Sequence, residues 1–281
     1  MKLWKAHGLG NDYLVWEGVA DFLTAERVKA LCNRHTGVGA DGILEPVSTL
    51  DADYGLVIWN PDGTTAEKSG NGLRIFARWL HQEQGASPSF SIAVGGVVVH
   101  ALIEGETITI DMGQAQFEPE AIPVSEKLWQ STHTFEGGET ERLCAVGMGN
   151  PHCVVMVSPV VDLDALPWRR WGAELEMDPR FPNRTNVQFA QVVDVHTLRM
   201  RIWERGAGET SASGSSSCAV AAVAVKAGWC QSPLRITMPG GVLSVAIDMD
   251  FNVRLKGPVV VVGRVELDSA WRKLLVNLES E

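Results

Sequence analysis

Two serine–glycine pairs each precede a segment with the pattern of a helix. Ser69–Asn71 opens the segment that continues as NGLRIFARWLHQEQG, and Ser213–Ser215 opens the one that continues as SSSCAVAAVAVKAGW. A helix N-terminus has unpaired N–H donors and a partial positive charge, and glycine lets a ligand approach the backbone closely. Each pair therefore predicts an anion site of the kind that holds a carboxylate. An ordinary helix cap also explains either pair taken alone.

Two such sites suit the removal of a proton from the carbon next to a carboxylate. The carbanion pushes negative charge onto the carboxylate oxygens, and donors already aimed there stabilise it in the transition state. An epimerase or racemase also needs two groups on opposite faces of that carbon. One group removes the proton and the other returns it.

The segments around these pairs predict an α+β chain in which most strands are antiparallel. β-rich runs recur and several end at glycine-containing turns; they are YGLVIW, SFSIAVGGVVVHALIEG, ETITIDMG, NPHCVVMV, RTNVQFAQVV, LRMRIWERG, PLRITMPGGVLSVAIDMD and NVRLKGPVVVVGRVEL. Helices are fewer. They are predicted in TAERVKALCNRH, with Thr24 as N-cap, in LDALPWRRWGAELE and after the two serine–glycine pairs.

The two pairs are 144 residues apart, about half of the 281-residue chain. A helix as apolar as CAVAAVAVKAGW needs burial on most sides, which a curled sheet provides. We therefore predict two pseudo-symmetric domains, each a curled, mostly antiparallel sheet around a central helix. The expected domains are 1–115 plus 266–281, and 116–265, with the junction in GQAQFEPEAIPVSEK. One continuous domain with a chance likeness between its halves is the alternative.

Composition narrows the class of protein further. A hydrophobic content of 45% allows a real core, and a net charge of −10 argues against a nucleic-acid partner. No apolar run is long enough for a membrane helix, and polar residues interrupt any signal-peptide core, so a cytoplasmic protein is expected. The five cysteines have no CxxC pair and no metal-ligand spacing, which predicts reduced thiols and no metal site.

Six blocks of the sequence resemble the diaminopimelate epimerase family. In chain order they are HGLGNDYLV, RHTGVGADGIL, NPDGTTAEKSGNGLRIFAR, GMGNPHCVV, RTNVQFAQV and WERGAGETSASGSSSCAVAA. The resemblance covers nearly the whole chain and implies two pseudo-symmetric domains with the site between them. It also implies LL-to-meso epimerisation of diaminopimelate, a small-molecule amino-acid substrate, in lysine and peptidoglycan precursor synthesis, without pyridoxal phosphate, metal or other cofactor. A homodimer is a further implication.

The resemblance also assigns residues. The two catalytic cysteines of the family fall at Ser69 and Ser213, with His152 and Glu204 beside them. Residues that match the family's substrate contacts are Asn11, Asn60, Gly70, Asn71, Asn150, Asn186, Arg205, Gly214 and Ser215. Of these, Arg205 with Asn60 and Asn186 would hold the far end of the substrate, where a guanidinium suits a carboxylate.

The departure from the family pattern is serine at both catalytic positions. Cys218 lies inside the helix that follows Ser213, so we interpret it as core packing. A serine hydroxyl is a far weaker acid than a thiol, so it needs a neighbouring base, for which His152 and Glu204 are the candidates. Lys68 is adjacent to Ser69 but would point away from it on an extended stretch.

Three explanations for the serines stay open on the sequence alone. The chain is an engineered double cysteine-to-serine variant that holds a ligand without turnover. It is a natural branch with altered chemistry: a slower epimerase, or a racemase or isomerase of another amino acid or acid. Or it is a non-catalytic amino-acid binding protein.

Overall fold

A computed structural model describes residues 1–278, which form two compact units. Unit 1 comprises Met1–Ile110 and Gly257–Glu281, and unit 2 comprises Asp111–Lys256. The domain boundaries predicted from the sequence, at 115/116 and 265/266, stay a prediction, because compact packing does not test independent folding.

Eighteen strands and five helices make up the described part of the chain. The strands are β1 (Lys2–Gly8), β2 (Asn11–Trp16), β3 (Ile43–Val47), β4 (Tyr54–Trp59), β5 (Thr65–Ala66), β6 (Ser89–Val94), β7 (Val97–Glu104), β8 (Thr107–Gln114), β9 (Trp129–Thr134), β10 (Thr140–Gly147), β11 (Pro151–Met156), β12 (Asn186–Asp194), β13 (Thr197–Glu204), β14 (Gly208–Thr210), β15 (Leu234–Met238), β16 (Gly241–Ile247), β17 (Asn252–Pro258) and β18 (Val260–Glu266). The helices are α1 (Ala25–Cys32), α2 (Gly70–Glu83), α3 (Trp168–Glu176), α4 (Gly214–Lys226) and α5 (Ser269–Val276), with a 3-10 turn at Pro119–Ala121.

The two units repeat one pattern of strand pairing. In unit 1, β1–β2 is antiparallel, β2–β3 parallel, β3–β4 antiparallel, β4–β6 parallel, and β6–β7 and β7–β8 antiparallel. In unit 2 the same sequence of pairings runs through β10, β11, β12, β13, β15, β16 and β17. The short strands β5 and β14 pair with β4 and β13, and the outer strands β18 and β9 pair with β1 and β10. The α+β class and the two similar halves predicted from the sequence are confirmed.

The helices occupy matching places in this repeat. Each of α2 and α4 follows a short strand, β5 or β14, and precedes a strand that pairs in parallel. Helix α2 packs against β1, β2 and β7, and α4 against β10, β11, β12, β15 and β16. The segments 70–80 and 216–224 are buried at every position, which confirms the expected central helix inside a sheet. Alanine and serine are frequent in α4, where strands approach the helix from most sides.

The outer helices cover the opposite faces of the sheets. Helix α3 places Trp168, Trp171 and Leu175 in a core cluster of unit 2 with strand residues such as Phe189. Helix α1 contributes Val28 and Leu31 to a cluster of unit 1 that also contains Leu275 of α5. Thr24 caps α1 as predicted, because its side chain accepts a hydrogen bond from the Arg27 amide. These clusters hold the sheets against which the central helices pack.

Several elements were not predicted from the sequence, above all the first hairpin. Strands β1 and β2 are joined by a two-residue turn in which Leu9 and Gly10 both have positive φ, 57° and 95°. Such turns usually carry Asn-Gly or Asp-Gly, so Leu-Gly gives a weak signal. Strands β3, β9 and β10 were also missed, since polar residues or a proline interrupt their alternation. The short strands β5 and β14 and helix α5 were missed as well.

Two expectations about the bulk of the chain concern membranes and thiols. Among residues 1–278, no helix combines the length and apolarity that crossing a membrane requires. All five cysteines are buried, and none forms a disulfide bond in the described chain. Cys218 is fully buried in α4, which agrees with a packing role.

Candidate active site

Ser69 is the N-cap of α2 in unit 1. Its backbone is extended, with φ −139° and ψ 118°, and its Oγ accepts a hydrogen bond from the Gly72 amide at 3.1 Å. The Tyr13 hydroxyl, on β2, donates to the same oxygen at 3.2 Å. A side chain at position 72 would lie 3.3 Å from Ser69 Oγ, so the glycine permits this close cap. The Ser69 oxygen therefore receives two donors from its own unit.

A chain of amides lies behind this cap. Arg74, fully buried, donates from Nη2 to Asn71 Oδ1 at 2.7 Å, and from Nη1 to the Gly70 carbonyl at 3.1 Å. Asn71 Nδ2 donates to Asn11 Oδ1 at 2.9 Å, and Asn11 Nδ2 donates to Asp41 Oδ2 at 2.8 Å. Because one end only donates and the other only accepts, both amide orientations are fixed.

The acidic end of this chain belongs to an ion cluster. Arg34 Nη2 contacts Asp12 Oδ1 and Asp41 Oδ1, both at 2.6 Å, and Lys5 Nζ lies 3.0 Å from Asp12 Oδ2. Burial raises the pKa of the Asp12 carboxyl, but hydrogen bonds from Arg34 and Lys5 outweigh it and hold the pKa below its ordinary value. Asp12 therefore stays charged at neutral pH, and Asp41 of the same cluster anchors Asn11 through its hydrogen bond.

Ser213 is the N-cap of α4 in unit 2. Its φ of −141° and ψ of 126° are close to those of Ser69, and its Oγ accepts from the Ser216 amide at 3.5 Å. The Ser213 hydroxyl donates to Glu204 Oε1 at 3.3 Å, and Ser215 Oγ lies 3.5 Å away. The predicted neighbours Ser213, Glu204 and Ser215 thus lie together. The proton of Ser213 points at a carboxylate.

His152 is fully buried beside this cap. Burial, which disfavours the charged form, is the main cause that lowers the pKa of His152 to about 3, and the positive charge of Arg205 acts in the same direction. The ring is therefore neutral: Nε2 donates to Asn150 Oδ1 at 2.8 Å, and Nδ1 accepts from Gln188 Nε2 at 3.0 Å. Gln188 Nε2 also donates to Ser216 Oγ at 3.0 Å. Among the described residues, no hydrogen bond of His152 reaches Ser213.

Glu204 is the last residue of β13, and Arg205 begins the turn that follows. Asn186 Oδ1 accepts from the Arg205 amide at 3.0 Å, and Asn186 Nδ2 donates to the Pro151 carbonyl at 3.0 Å. Glu176, buried on α3, accepts from the Gly206 amide at 2.9 Å and from the Trp203 indole at 2.7 Å. Glu176 and Asn186 therefore fix this turn from two sides.

Asn60, expected among the substrate contacts, lies in unit 1 at the end of β4. Its Nδ2 donates to Thr64 Oγ1 at 2.9 Å, and its backbone amide donates to the Thr64 carbonyl at 2.8 Å. Neither bond joins Asn60 to Ser69 or to the amide chain. The roles of Asn60 and of the other assigned residues stay predictions.

The sequence analysis missed three residues that contact these groups: Tyr13, Glu176 and Gln188. A signal for Tyr13 was present in the repeat. The short motifs GLGNDY and GMGNPH lead into β2 and β11, which are equivalent strands of the two units. In an alignment of the two motifs, Tyr13 corresponds to His152. A comparison of the halves position by position would have singled out Tyr13.

Solved structures share this fold. One is a hydroxyproline epimerase from Agrobacterium vitis, with a TM-score of 0.71, 14% identity, and coverage of 94% of this chain and 91% of that one. Another is a phenazine biosynthesis protein of the PhzF family from Bacillus anthracis, with a TM-score of 0.68, 17% identity, and coverage of 95% and 99%. At these identities the likeness concerns the fold alone.

The family is defined by sequence. A family model described as diaminopimelate epimerase matches residues 3–118 and 144–262. The chain is 43% identical to diaminopimelate epimerase 2 of Nostoc sp. over 280 residues, with 96% of each chain covered. It is 39% identical to diaminopimelate epimerase of Aromatoleum aromaticum, with 95% of this chain and 99% of the relative covered. The chain belongs to the diaminopimelate epimerase family, which confirms the resemblance seen in its motifs.

Proposed function

We propose that the chain is an isomerase that epimerises diaminopimelate between its LL and meso forms by proton exchange at the α-carbon, without a cofactor. The observation that carries the proposal is the pair of serine-capped helix N-termini at equivalent places of the two units. Family membership and the names of the relatives supply the substrate. The reaction needs one group that removes a proton and one that returns it, for which Ser69 and Ser213 are our candidates.

In one direction, Ser213 acts as the base. As its Oγ takes the α-proton, its own proton passes to the Glu204 carboxylate, which already accepts that hydrogen bond. Glu204 is thus the final proton acceptor, and the serine relays the proton. In hydrolases a serine likewise gives its hydroxyl proton to a neighbouring base, a histidine, although there the serine oxygen acts as a nucleophile. His152 has a different part in this proposal. Its neutral ring holds Asn150 in place, and through Gln188 it supports the first turn of α4.

The helix N-termini stabilise the carbanion. Backbone N–H groups at Gly70 and Asn71 and at Gly214 and Ser215 belong to the first turns of α2 and α4, where helical N–H groups lack intrahelical acceptors. Such donors are suited to the reacting carboxylate of the substrate. The Arg74 guanidinium adds positive charge one turn inside α2.

Arg205 is our candidate for the far end of the substrate. Asn186 holds the Arg205 backbone, so the guanidinium is presented from a fixed turn. Its Nη1 donates to the Asn183 carbonyl at 3.2 Å, and the remaining N–H groups suit a carboxylate. Asn11, Asn60 and Asn150 complete the proposed set of polar contacts.

The surroundings of the reaction are also proposals. We place the protein in the cytoplasm and in lysine and peptidoglycan precursor synthesis; its buried, unbridged cysteines suit a reducing compartment. We propose a homodimer, supported by Val260, Val261 and Val262 on β18, which are 50%, 40% and 60% exposed. Exposed apolar strand residues of this kind often mark an interface between copies.

The test is α-proton exchange into deuterated water with LL- and meso-diaminopimelate, followed by NMR. We expect both isomers to take up deuterium and to interconvert, and the Ser69→Ala/Ser213→Ala variant to do neither. Calorimetric binding without exchange would favour the binding-protein alternative. Exchange with other amino acids but not with diaminopimelate would show that the chain acts on a different substrate. Exchange that appears only after Ser69→Cys and Ser213→Cys are combined would defeat catalysis by the chain as it stands.

A further inference from the structure

Tyr13 is held against Ser69 by a strand on one side and a glycine on the other. It lies on β2, pairs with Ala6 of β1, and is only 7% exposed. Its ring packs so close to Gly42 that a side chain there would lie 2.7 Å from Tyr13 Cε1. In this position its hydroxyl donates to Ser69 Oγ at 3.2 Å. The phenol is thus fixed at the oxygen that the proposed function makes reactive.

The hydrogen bonds at Ser69 run in one direction. Its oxygen accepts from the Tyr13 hydroxyl and from the Gly72 amide, so both lone pairs are occupied. Neither of these bonds uses the Ser69 proton. Two donors aimed at one oxygen stabilise the negative charge that develops on it when that proton leaves, as an oxyanion hole does. Ser69 is therefore prepared to give a proton.

A serine alone is a poor proton donor, but a neighbouring phenol can supply the serine oxygen with a new proton and carry the negative charge instead. An ordinary phenol has a pKa near 10, whereas an aliphatic hydroxyl lies several units higher. Each unit is a factor of ten in the acid dissociation constant, so leaving the charge on the phenol rather than on the serine makes the proton transfer more favourable by several factors of ten. The same argument holds in reverse, because a phenolate is a far more accessible base than an alkoxide.

We propose that Tyr13 is a catalytic residue that supplies a proton to Ser69 as Ser69 passes its own proton to the α-carbon. The inference rests on the proposed function. The O–H bond of Ser69 breaks as the Cα–H bond forms, and the O–H bond of Tyr13 breaks as a new O–H bond forms on Ser69. Ser69 is regenerated, Tyr13 becomes a phenolate, and the phenolate takes up a proton from water or, in the reverse reaction, from the α-carbon through Ser69.

The chain offers a matched pair of variants, because Tyr13 and Tyr54 are its two tyrosines. Tyr13→Phe removes one oxygen and keeps the ring. Tyr54→Phe makes the same change on β4, where the Tyr54 ring lies edge-on to Phe90. We expect Tyr13→Phe to lower kcat about 100-fold, within the usual range for a lost acid–base group, with KM changed less than about threefold. We expect Tyr54→Phe to leave both constants unchanged.

The deciding experiment repeats Tyr13→Phe in a Ser69→Cys background. A thiol is acidic enough to exchange protons without the phenol, so Tyr13→Phe should then cost less than about threefold. A loss of the same size in both backgrounds would assign Tyr13 a structural role and overturn the proposal. So would full activity of Tyr13→Phe with Ser69 in place. No turnover by the unmodified chain would defeat the proposed function, and the catalytic role of Tyr13 with it.

Discussion

The two serine caps share a backbone and differ in their partners. Ser69 and Ser213 both have extended backbones, both begin a central helix, and both accept from the amide three residues on. Ser69 then accepts from a phenol, whereas Ser213 donates to a carboxylate. The repeated fold supplies one position twice. In the proposed mechanism, the neighbouring side chain decides whether the hydroxyl there gives a proton to the α-carbon or removes one from it.

The groups behind the caps differ in the same way. In unit 1, two amides lie between a guanidinium and a carboxylate, so the network ends in charges. In unit 2, the network that contains His152 and Gln188 is neutral. The charged network in unit 1 adds positive charge beside the helix N-terminus. The carboxyl group that contacts Ser213 belongs to Glu204, outside this neutral network.

The largest effect is expected from Glu204→Gln. The variant keeps the shape of the side chain but removes the acceptor for the Ser213 proton, so kcat should fall about 100-fold or more, with deuterium exchange lost to the same degree. Glu209→Gln is the control, since Glu209 pairs with Arg169 on the surface. If Glu204→Gln and Glu209→Gln turn over alike, Ser213 is not the partner of a carboxylate base.

The main features of the fold could be predicted from the sequence because they depend on local chemistry. The Ser69, Ser213 and Thr24 caps, helix α3 and most strands of unit 2 have local signals, and all are found. The β1–β2 hairpin was missed because its turn uses Leu9, a residue that rarely adopts positive φ. Its alternation is also broken by lysine and histidine.

The candidate site could be predicted only in part, for a different reason. The residues next to the helix starts were found, since they are consecutive in sequence. The contact between Tyr13 and Ser69 joins residues 56 positions apart, and nothing local to either residue indicates it. The carboxylate of Glu176 likewise meets Gly206 from another element. Long-range contacts of this kind are set by strand pairing, which no short motif contains.

The next largest effect is on the free energy of unfolding, which should depend on pH through His152 of the neutral network. An unfolded histidine has a pKa near 6.5, while burial lowers the pKa of His152 to about 3. As the pH drops below about 6.5, His152 therefore binds a proton in the unfolded chain but not in the folded chain. The free energy of unfolding consequently decreases. Between pH 6.5 and 5 the loss from this one group should be about 1.5 kcal/mol.

Urea denaturation at these two pH values tests the assignment. We expect His152→Gln to lose less stability between pH 6.5 and 5 than the unmodified chain, and His100→Gln, at an exposed position, to behave like the unmodified chain. The carboxyl of Asp12, which has a lowered pKa, titrates below this window and does not interfere. An unchanged pH dependence in His152→Gln would mean that His152 binds protons equally in the folded and unfolded chains, which would contradict the assignment.

The smallest expected effect is a difference in thiol pKa between the two caps, which compares them most directly. Ser69→Cys and Ser213→Cys each place a thiol at a helix N-terminus, which lowers a thiol pKa. Beside the Tyr13 donor the pKa falls further, whereas the Glu204 carboxylate raises it. The pH dependence of alkylation should therefore give Ser69→Cys a pKa at least about one unit lower, a difference of about 1.4 kcal/mol.

Two controls are available, one for alkylation of the native cysteines and one for the effect of Glu204 on the thiol pKa. The native cysteines are buried, and burial raises the pKa of Cys32 to about 12 and also raises that of Cys153, so the unmodified chain should react little. Adding Glu204→Gln to Ser213→Cys should bring the two pKa values together. Because the helix contribution is common to both thiols, it cancels, and the remaining difference reports the partner alone. Equal pKa values with Glu204 intact would remove the distinction between a proton-giving and a proton-taking cap.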